Sequence, residues 1–187
     1  MEEVFRLWDV VRSVFPSVFP SVFPGKKSLM FFSLIDRIES LEPGQSVVAT
    51  KSLTLAEEYL RDHFPNFPVM PGVLMLEALT QASAWLIRVT DGFSHSMVVL
   101  KEAKNVKYGK FVKPGQTIRI SATITSRTES TITLKAEGSV DEQTTLRAQL
   151  TLIRYNLGEK SPTRSEADRR VIDSLKGQLA LLWSERI

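Results

Sequence analysis

The chain of 187 residues contains no cysteine and only two histidines, His63 and His95. Without cysteine there is no disulfide framework, no thiol nucleophile and no thiolate metal site. Two histidines leave too few imidazoles for a multi-histidine metal centre, so no metal is expected. Long apolar runs are also missing. The longest, Leu29 to Ile35, falls far short of the roughly 20 residues that cross a bilayer. The start Met1-Glu2-Glu3 lacks a basic leader and a small-residue cleavage site, so a soluble cytoplasmic chain is expected. Charge of one sign is scarce as well. A net charge of +3 does not argue for nucleic acid, and no recognition motif or aromatic interleaving does either.

Enough apolar residue is present, at 43 %, to bury a substantial core, and the length suits one domain with appendages. Residues 2–15 carry Val4, Trp8, Val11 and Phe15 at helical spacing. Three tandem copies of Ser-Val-Phe-Pro follow, Ser13–Pro16, Ser17–Pro20 and Ser21–Pro24. A proline every fourth residue excludes both a helix interior and a central strand. The run is either an extended tether or an aromatic docking strip, and spacing does not separate the two. Residues 1–27 are thus an extension and 28–156 the main domain. Residues 157–187 are a linker and a helix carrying Val171, Ile172, Leu175, Leu179, Leu182 and Trp183 on one side.

Within the main domain, Glu42-Pro43-Gly44-Gln45 marks a turn between two strands, or between a helix and a strand. Residues 72–90 form the longest helical candidate. From Val73 to Ile87 its only non-apolar residues are Glu77, Thr80, Gln81 and Ser83. A helix apolar on nearly every side is a buried one. What buries it is legible downstream, where Ile118, Ile120, Ala122 and Ile124 alternate with polar residues. Ile132, Leu134 and Ala136 do the same, as do Leu146, Ala148, Leu150 and Leu152. A period of two marks strands with one buried face. An α+β fold follows: an antiparallel sheet curled around a long buried helix.

The candidate chemistry lies in "HFPNFPVMPGVLMLEALTQ", residues 63–81. Glu77 either faces an exposed stripe of the helix or is buried. A buried carboxylate shifts its pKa upward, finds a donor, or both, and a carboxylic acid kept protonated is a general acid. Gln81, one turn later, fits a solvated stripe or a hydrogen-bonding partner. His63 is a satisfied loop residue or a base held still between prolines. Gly72 stands at the helix start, where backbone N–H groups lack intrahelical partners and could meet an oxygen on which negative charge develops.

The same stretch resembles the signature of the 3-hydroxyacyl-(acyl carrier protein) dehydratases of the beta-hydroxydecanoyl-thioester-dehydratase-like group. It is closest to the broad-specificity dehydratase of type II fatty-acid synthesis. "LIDRIESLEPGQSVVATKSLT" and "NVKYGKFVKPGQTIRI" are similar to two further family segments in the right order, so the likeness spans roughly residues 31–155. It implies a hot-dog fold and a homodimer or trimer of dimers, with His63 of one subunit facing Glu77 of the other. It implies removal of water from a (3R)-3-hydroxyacyl thioester to give the trans-2-enoyl product, without metal or organic cofactor, because the thioester acidifies C2. His63 would take the C2 proton, Glu77 would protonate the leaving hydroxyl, and the Gly72 N–H would polarise the thioester carbonyl. Val73, Gln81, Phe67, Met70 and Tyr108 would complete the substrate site. Glutamate rather than aspartate at position 77 favours the dehydratase type over the dehydratase/isomerase type.

The chain departs from the family pattern in three places. Asn66 stands where glycine is usual, "KKSLMFF" occupies the place of a Pro-His-Arg-Tyr-Pro approach, and Gly109-Lys110 replaces an arginine pair. The lysine-rich stretch that includes Lys104, Lys107, Lys110 and Lys113 is a solvated face or, given the resemblance, a landing patch for an acidic acyl carrier protein. Two other readings compete with the dehydratase: a hot-dog acyl thioesterase and a non-catalytic carrier-binding subunit.

Overall fold

The structure, a computed structural model, describes residues 32–61, 63–64, 66–159 and 164–183. The expected helix at 2–15, the Ser-Val-Phe-Pro run and the last residues of the tail lie outside these. So does most of the polar linker, residues 160–163.

Six strands form one antiparallel sheet: β1 (Arg37–Glu42), β2 (Ser46–Ser52), β3 (Met97–Tyr108), β4 (Thr117–Arg127), β5 (Thr131–Val140) and β6 (Gln143–Tyr155). Their spatial order is β1-β2-β4-β5-β6-β3. The turn at 43–45 joins two strands, which settles the choice left open there. Gly44 takes φ +77°, the left-handed conformation this hairpin requires. Ile118, Ile120 and Ala122 of β4 face inward, as do Ile132, Leu134 and Ala136 of β5 and Leu146, Ala148, Leu150 and Leu152 of β6. The predicted alternation therefore sets which face is core.

The long helix, α1 (Gly72–Thr90), lies in the trough of that sheet, in contact with β2 through β6. This is the hot-dog arrangement. Leu74–Leu76, Ala78–Thr80 and Ala82–Ile87 are all buried. Thr80 and Ser83, the polar residues among them, are satisfied by donating to the carbonyls of Leu76 (3.0 Å) and Leu79 (2.8 Å). The C-terminal end of α1 is fastened by Asp91. Its carboxylate bridges Arg154 of β6 at 2.5 Å and Arg127 of β4 at 2.6 Å. Arg154 also donates to the Thr128 and Glu129 carbonyls, so one buried ion pair ties the helix to the β4–β5 hairpin.

The second helix, α2 (Ser165–Leu182), starts one residue beyond the linker and packs Leu175 and Leu182 into the common core. Its entry is fixed by Asp168, which accepts from Ser96 Oγ and from the N–H groups of Leu157 and Gly158. No helix among the described residues is long and apolar enough to cross a membrane.

Candidate active site

The approach to His63 is anchored from below. Lys51 on β2 is nearly inaccessible, at 5 % exposure, and its ammonium meets Glu57 at 2.6 Å and Asp36 at 3.7 Å. Glu57 introduces a single 3-10 turn, Glu58–Leu60, whose Tyr59 and Leu60 are buried. The buried ion pair thereby fixes where the chain enters the loop that carries the imidazole.

His63 Nδ1 lies 3.0 Å from the Val69 carbonyl oxygen. A carbonyl can only accept, so Nδ1 carries the hydrogen and Nε2 is left with its lone pair. The loop between them is a tight turn closed by Phe67 N–H to the Phe64 carbonyl at 2.7 Å. Phe64 within it is left-handed, at φ +62°. Val69 and Met70 close the loop against the core, and Met70 N–H donates to the Val112 carbonyl at 2.9 Å.

Pro71 precedes the first turn of α1, its fixed φ of −57° suited to a helix entry. The carbonyl of Pro71 accepts from Leu74 and Met75. Among the described residues, the N–H groups of Gly72 and Val73 meet no acceptor. They are the orphan donors of a helix start, at its positive end. Gly72 also leaves room for its neighbour: a Cβ there would stand 2.8 Å from Cε1 of Tyr108. Tyr108 itself is 54 % exposed, a ring laid over the helix entrance from the end of β3.

Glu77 lies on the half-buried stripe of α1 and is not solvated freely. Burial pushes its carboxyl up to about 6, against the opposing pull of the Gln81 hydrogen bond and the Arg88 charge. Gln81 is fully engaged. Its Nε2 donates to Glu77 Oε1 at 3.0 Å and to the Phe32 carbonyl at 2.9 Å, while its Oε1 accepts from Leu34 N–H at 2.9 Å. The amide therefore orients the acid and latches the start of the domain onto α1. The groups that act on the Glu77 carboxyl are Gln81 and Arg88; His63 of the same chain is not among them.

The other expected residues divide. Phe67 stands at the surface, edge-on to the exposed Phe111 at 6.0 Å, with the Lys113 ammonium 5.1 Å above its ring. Met70 is 1 % exposed and belongs to the core. Of the lysines, Lys113 joins this aromatic cluster and Lys110 donates to Gln143. Lys104 and Lys107 lie on β3, Lys104 paired with Glu102 at 3.0 Å and Lys107 opposite Arg147 of β6. Sequence reasoning missed two features. Lys51–Glu57 gave no periodic signal. Arg88, the one cation in the helix, falls one residue beyond the apolar run on which the helix was recognised.

Comparison with known proteins agrees with this fold. Residues 27–149 match the FabA-like domain family. The chain is 35 % identical over 119 residues to a Lactobacillus helveticus protein named 3-hydroxyacyl-(acyl-carrier-protein) dehydratase FabZ, spanning 64 % of this chain and 80 % of that one. A protein of the same name from Janthinobacterium sp. is 35 % identical over 136 residues, spanning 71 % and 87 %. Among solved structures, the dehydratase heterocomplex ApeI:P from Xenorhabdus doucetiae superposes with a TM-score of 0.57 at 15 % identity, covering 71 % of this chain and 90 % of that one. Streptococcus mutans smu.793 gives 0.51 at 18 %, covering 69 % and 94 %. At such identities the two structures speak for the fold alone.

Proposed function

The chain belongs to the FabA-like domain family, and on that premise we propose that it dehydrates (3R)-3-hydroxyacyl thioesters carried on acyl carrier protein, a step of fatty-acid biosynthesis. The observation that carries the reading is Glu77. It is a carboxyl lifted to about 6 by burial and aimed by Gln81, on the helix whose first N–H groups are unpaired. Such an acid keeps a substantial protonated fraction near neutral pH, which an ordinary glutamate does not.

The thioester carbonyl sits at the N-terminus of α1 and accepts from Gly72 and Val73, where charge developing on its oxygen is stabilised. His63 Nε2, free because Nδ1 is held by Val69, removes the proton from C2. The electron pair of that C–H bond forms the C2–C3 double bond. The C3–O bond breaks, and Glu77 delivers its proton to the departing hydroxyl, which leaves as water. Return of the C2 proton from His63 to solvent and of one proton to Glu77 resets the site.

Two copies build each site in this proposal, His63 of one facing Glu77 of the other. Support comes from β3, twelve residues long at the edge of the sheet and, among the described residues, paired with β6 alone. An edge of that length is a template for pairing with another chain. The aromatic and lysine-bearing surface of Phe67, Phe111, Lys110 and Lys113 suits an acidic carrier delivering a thioester beside Tyr108. Neither a thioesterase nor a carrier-binding subunit would call for a lifted, amide-oriented acid paired with a tautomer-fixed base.

The test is the appearance of enoyl absorbance when the purified protein meets a 3-hydroxyacyl thioester. Loss of that signal by a factor of roughly a hundred or more in both His63→Ala and Glu77→Gln is expected. Release of free thiol would instead establish a thioesterase, and saturable carrier binding without turnover a scaffold.

A further inference from the structure

The loop that carries His63 has little core packing of its own, since Phe64, Asn66 and Phe67 are all exposed. A segment with so few buried contacts takes its shape from its two ends. The exit is tied by backbone. Val69 is buried, and Met70 N–H donates to the Val112 carbonyl at 2.9 Å. The stretch after Val112 is bound in turn to the end of β2. Gly115 N–H donates to the Leu53 carbonyl at 2.8 Å, and Leu53 N–H donates to the Gln116 carbonyl at 2.9 Å.

The entry is tied by side chains. Between Leu53 and the 3-10 turn the local bonds are long: Ala56 N–H to Thr54 Oγ1 and Glu57 N–H to the Thr54 carbonyl, both at 3.3 Å. Leu55 between them is 74 % exposed. Tyr59 and Leu60 are buried, but apolar burial has no direction. The short contact is Lys51 Nζ to Glu57 Oε1 at 2.6 Å. It closes a circuit. The path runs from Lys51 through Glu57 and the turn to His63, on through Val69 and Met70 to Val112, and back to β2 at Leu53. A buried ion pair is often no more stabilising than apolar side chains of similar volume. What those side chains cannot replace is its direction.

We propose that Lys51 and Glu57 are positioning residues: their ion pair holds the proline loop so that the His63 imidazole stays bonded to Val69 and presents Nε2 to the substrate. Neither is a catalytic residue, and both act through His63. The kinetic consequence rests on the dehydratase reading, whereas the placement of the imidazole does not.

The test reads imidazole and turnover separately. Nitrogen NMR of the full chain carrying isotope-labelled histidine shows two side chains, and His63→Ala identifies one of them. At about pH 8, where an ordinary imidazole is neutral, wild-type His63 is expected as a single tautomer with its hydrogen on Nδ1. Lys51→Met is expected to mix the two tautomers and to lower kcat by roughly tenfold to a hundredfold, with KM nearly unchanged. The alkaline limb of the pH–rate profile, which Glu77 sets, stays in place. Glu57→Gln keeps an acceptor for the ammonium and loses less. The double variant Lys51→Met/Glu57→Leu removes both charges and controls for folding. Its melting point returns close to wild type, while the mixed tautomers and lowered kcat persist. Mixed tautomers in a chain that turns over no 3-hydroxyacyl thioester leave the positioning standing and remove the dehydratase reading. Unchanged His63 signals in the folded double variant overturn the proposal, and so does a kcat there equal to that of an active wild type.

Discussion

The carboxamide of Gln81 holds the carboxyl of Glu77 from one turn further along the helix, Nε2 to Oε1 at 3.0 Å. The same amide group grips the chain at Phe32 and Leu34. An acid that must release its proton along one direction is thus aimed by a residue that is itself immobilised by the backbone. The arrangement also tunes the acid, because a donor to the ionised form favours that form and offsets part of the burial.

Gln81→Met removes all three bonds. The Glu77 carboxyl then loses a donor to its charged form and rises above about 6. In the dehydration direction the acid works protonated, so the falling alkaline limb of kcat against pH moves to higher pH. Stability drops by about 2–3 kcal/mol, from three hydrogen bonds at ~1 kcal/mol each. A pH–rate profile beside a thermal melt checks both; a limb that stays in place would separate Gln81 from the tuning of Glu77.

Glu77→Gln abolishes turnover and yet stabilises the protein above neutrality. The folded pKa, about 6, exceeds the ordinary value of 4.5. The native state therefore binds the extra proton, and stability from this group is full below pH 4.5 and lost as pH rises through 6. A neutral amide never ionises and does not suffer that loss. At pH 8 the variant is expected to be more stable by about 2 kcal/mol, the free-energy equivalent of raising the carboxyl from 4.5 to about 6. Denaturant midpoints at pH 4.5 and pH 8 should converge in the variant and differ in the wild type.

Gly72→Ala separates fold from site. Alanine improves a helix by up to ~1 kcal/mol over glycine, so the melting point holds or rises. The new Cβ would stand 2.8 Å from the Tyr108 ring, which is exposed enough to swing aside. The displaced ring and the methyl then crowd the unpaired N–H groups, and kcat/KM falls roughly tenfold, about the effect of weakening one oxyanion contact. Pairing the substitution with Tyr108→Ala relieves the clash. Recovery of activity in the double variant would place the loss in that contact.

Much of the fold was legible because it rests on periodicity. The alternation at Ile118–Ile124, Ile132–Ala136 and Leu146–Leu152 predicted the inner face of three strands, and the apolar run after Gly72 predicted α1 within its observed bounds. Strand β3 was not announced. It is an edge strand bulged between Lys104 and Lys107, and its mixed exposure breaks the period of two. In the site, His63, Gly72 and Glu77 stood out by chemical type and spacing. Met70 is buried in the core, and a methionine beside a proline loop reads the same in sequence whether it lines a channel or fills the core. Arg88 and the Lys51–Glu57 pair depend on which distant segment covers them, and no local pattern encodes that.

The C-terminal helix carries its own acid-sensitive fastening. Burial works against charge on Asp168, but hydrogen bonds from Ser96, Gly158 and Leu157 outweigh it and hold the carboxyl below its ordinary range. A depressed pKa contributes stability that is present above the unfolded value and disappears as pH falls through the folded one. Docking of α2 should therefore hold through the neutral range and loosen only below the ordinary carboxylate range. Asp168→Asn keeps the shape and can satisfy at most part of the three donors, so α2 should loosen at neutral pH as well. Hydrogen exchange along Ser165–Leu182 reads this directly. Faster exchange there with an unchanged α1 would confirm a local anchor, whereas unchanged exchange along α2 would show that Leu175 and Leu182 alone suffice to hold it.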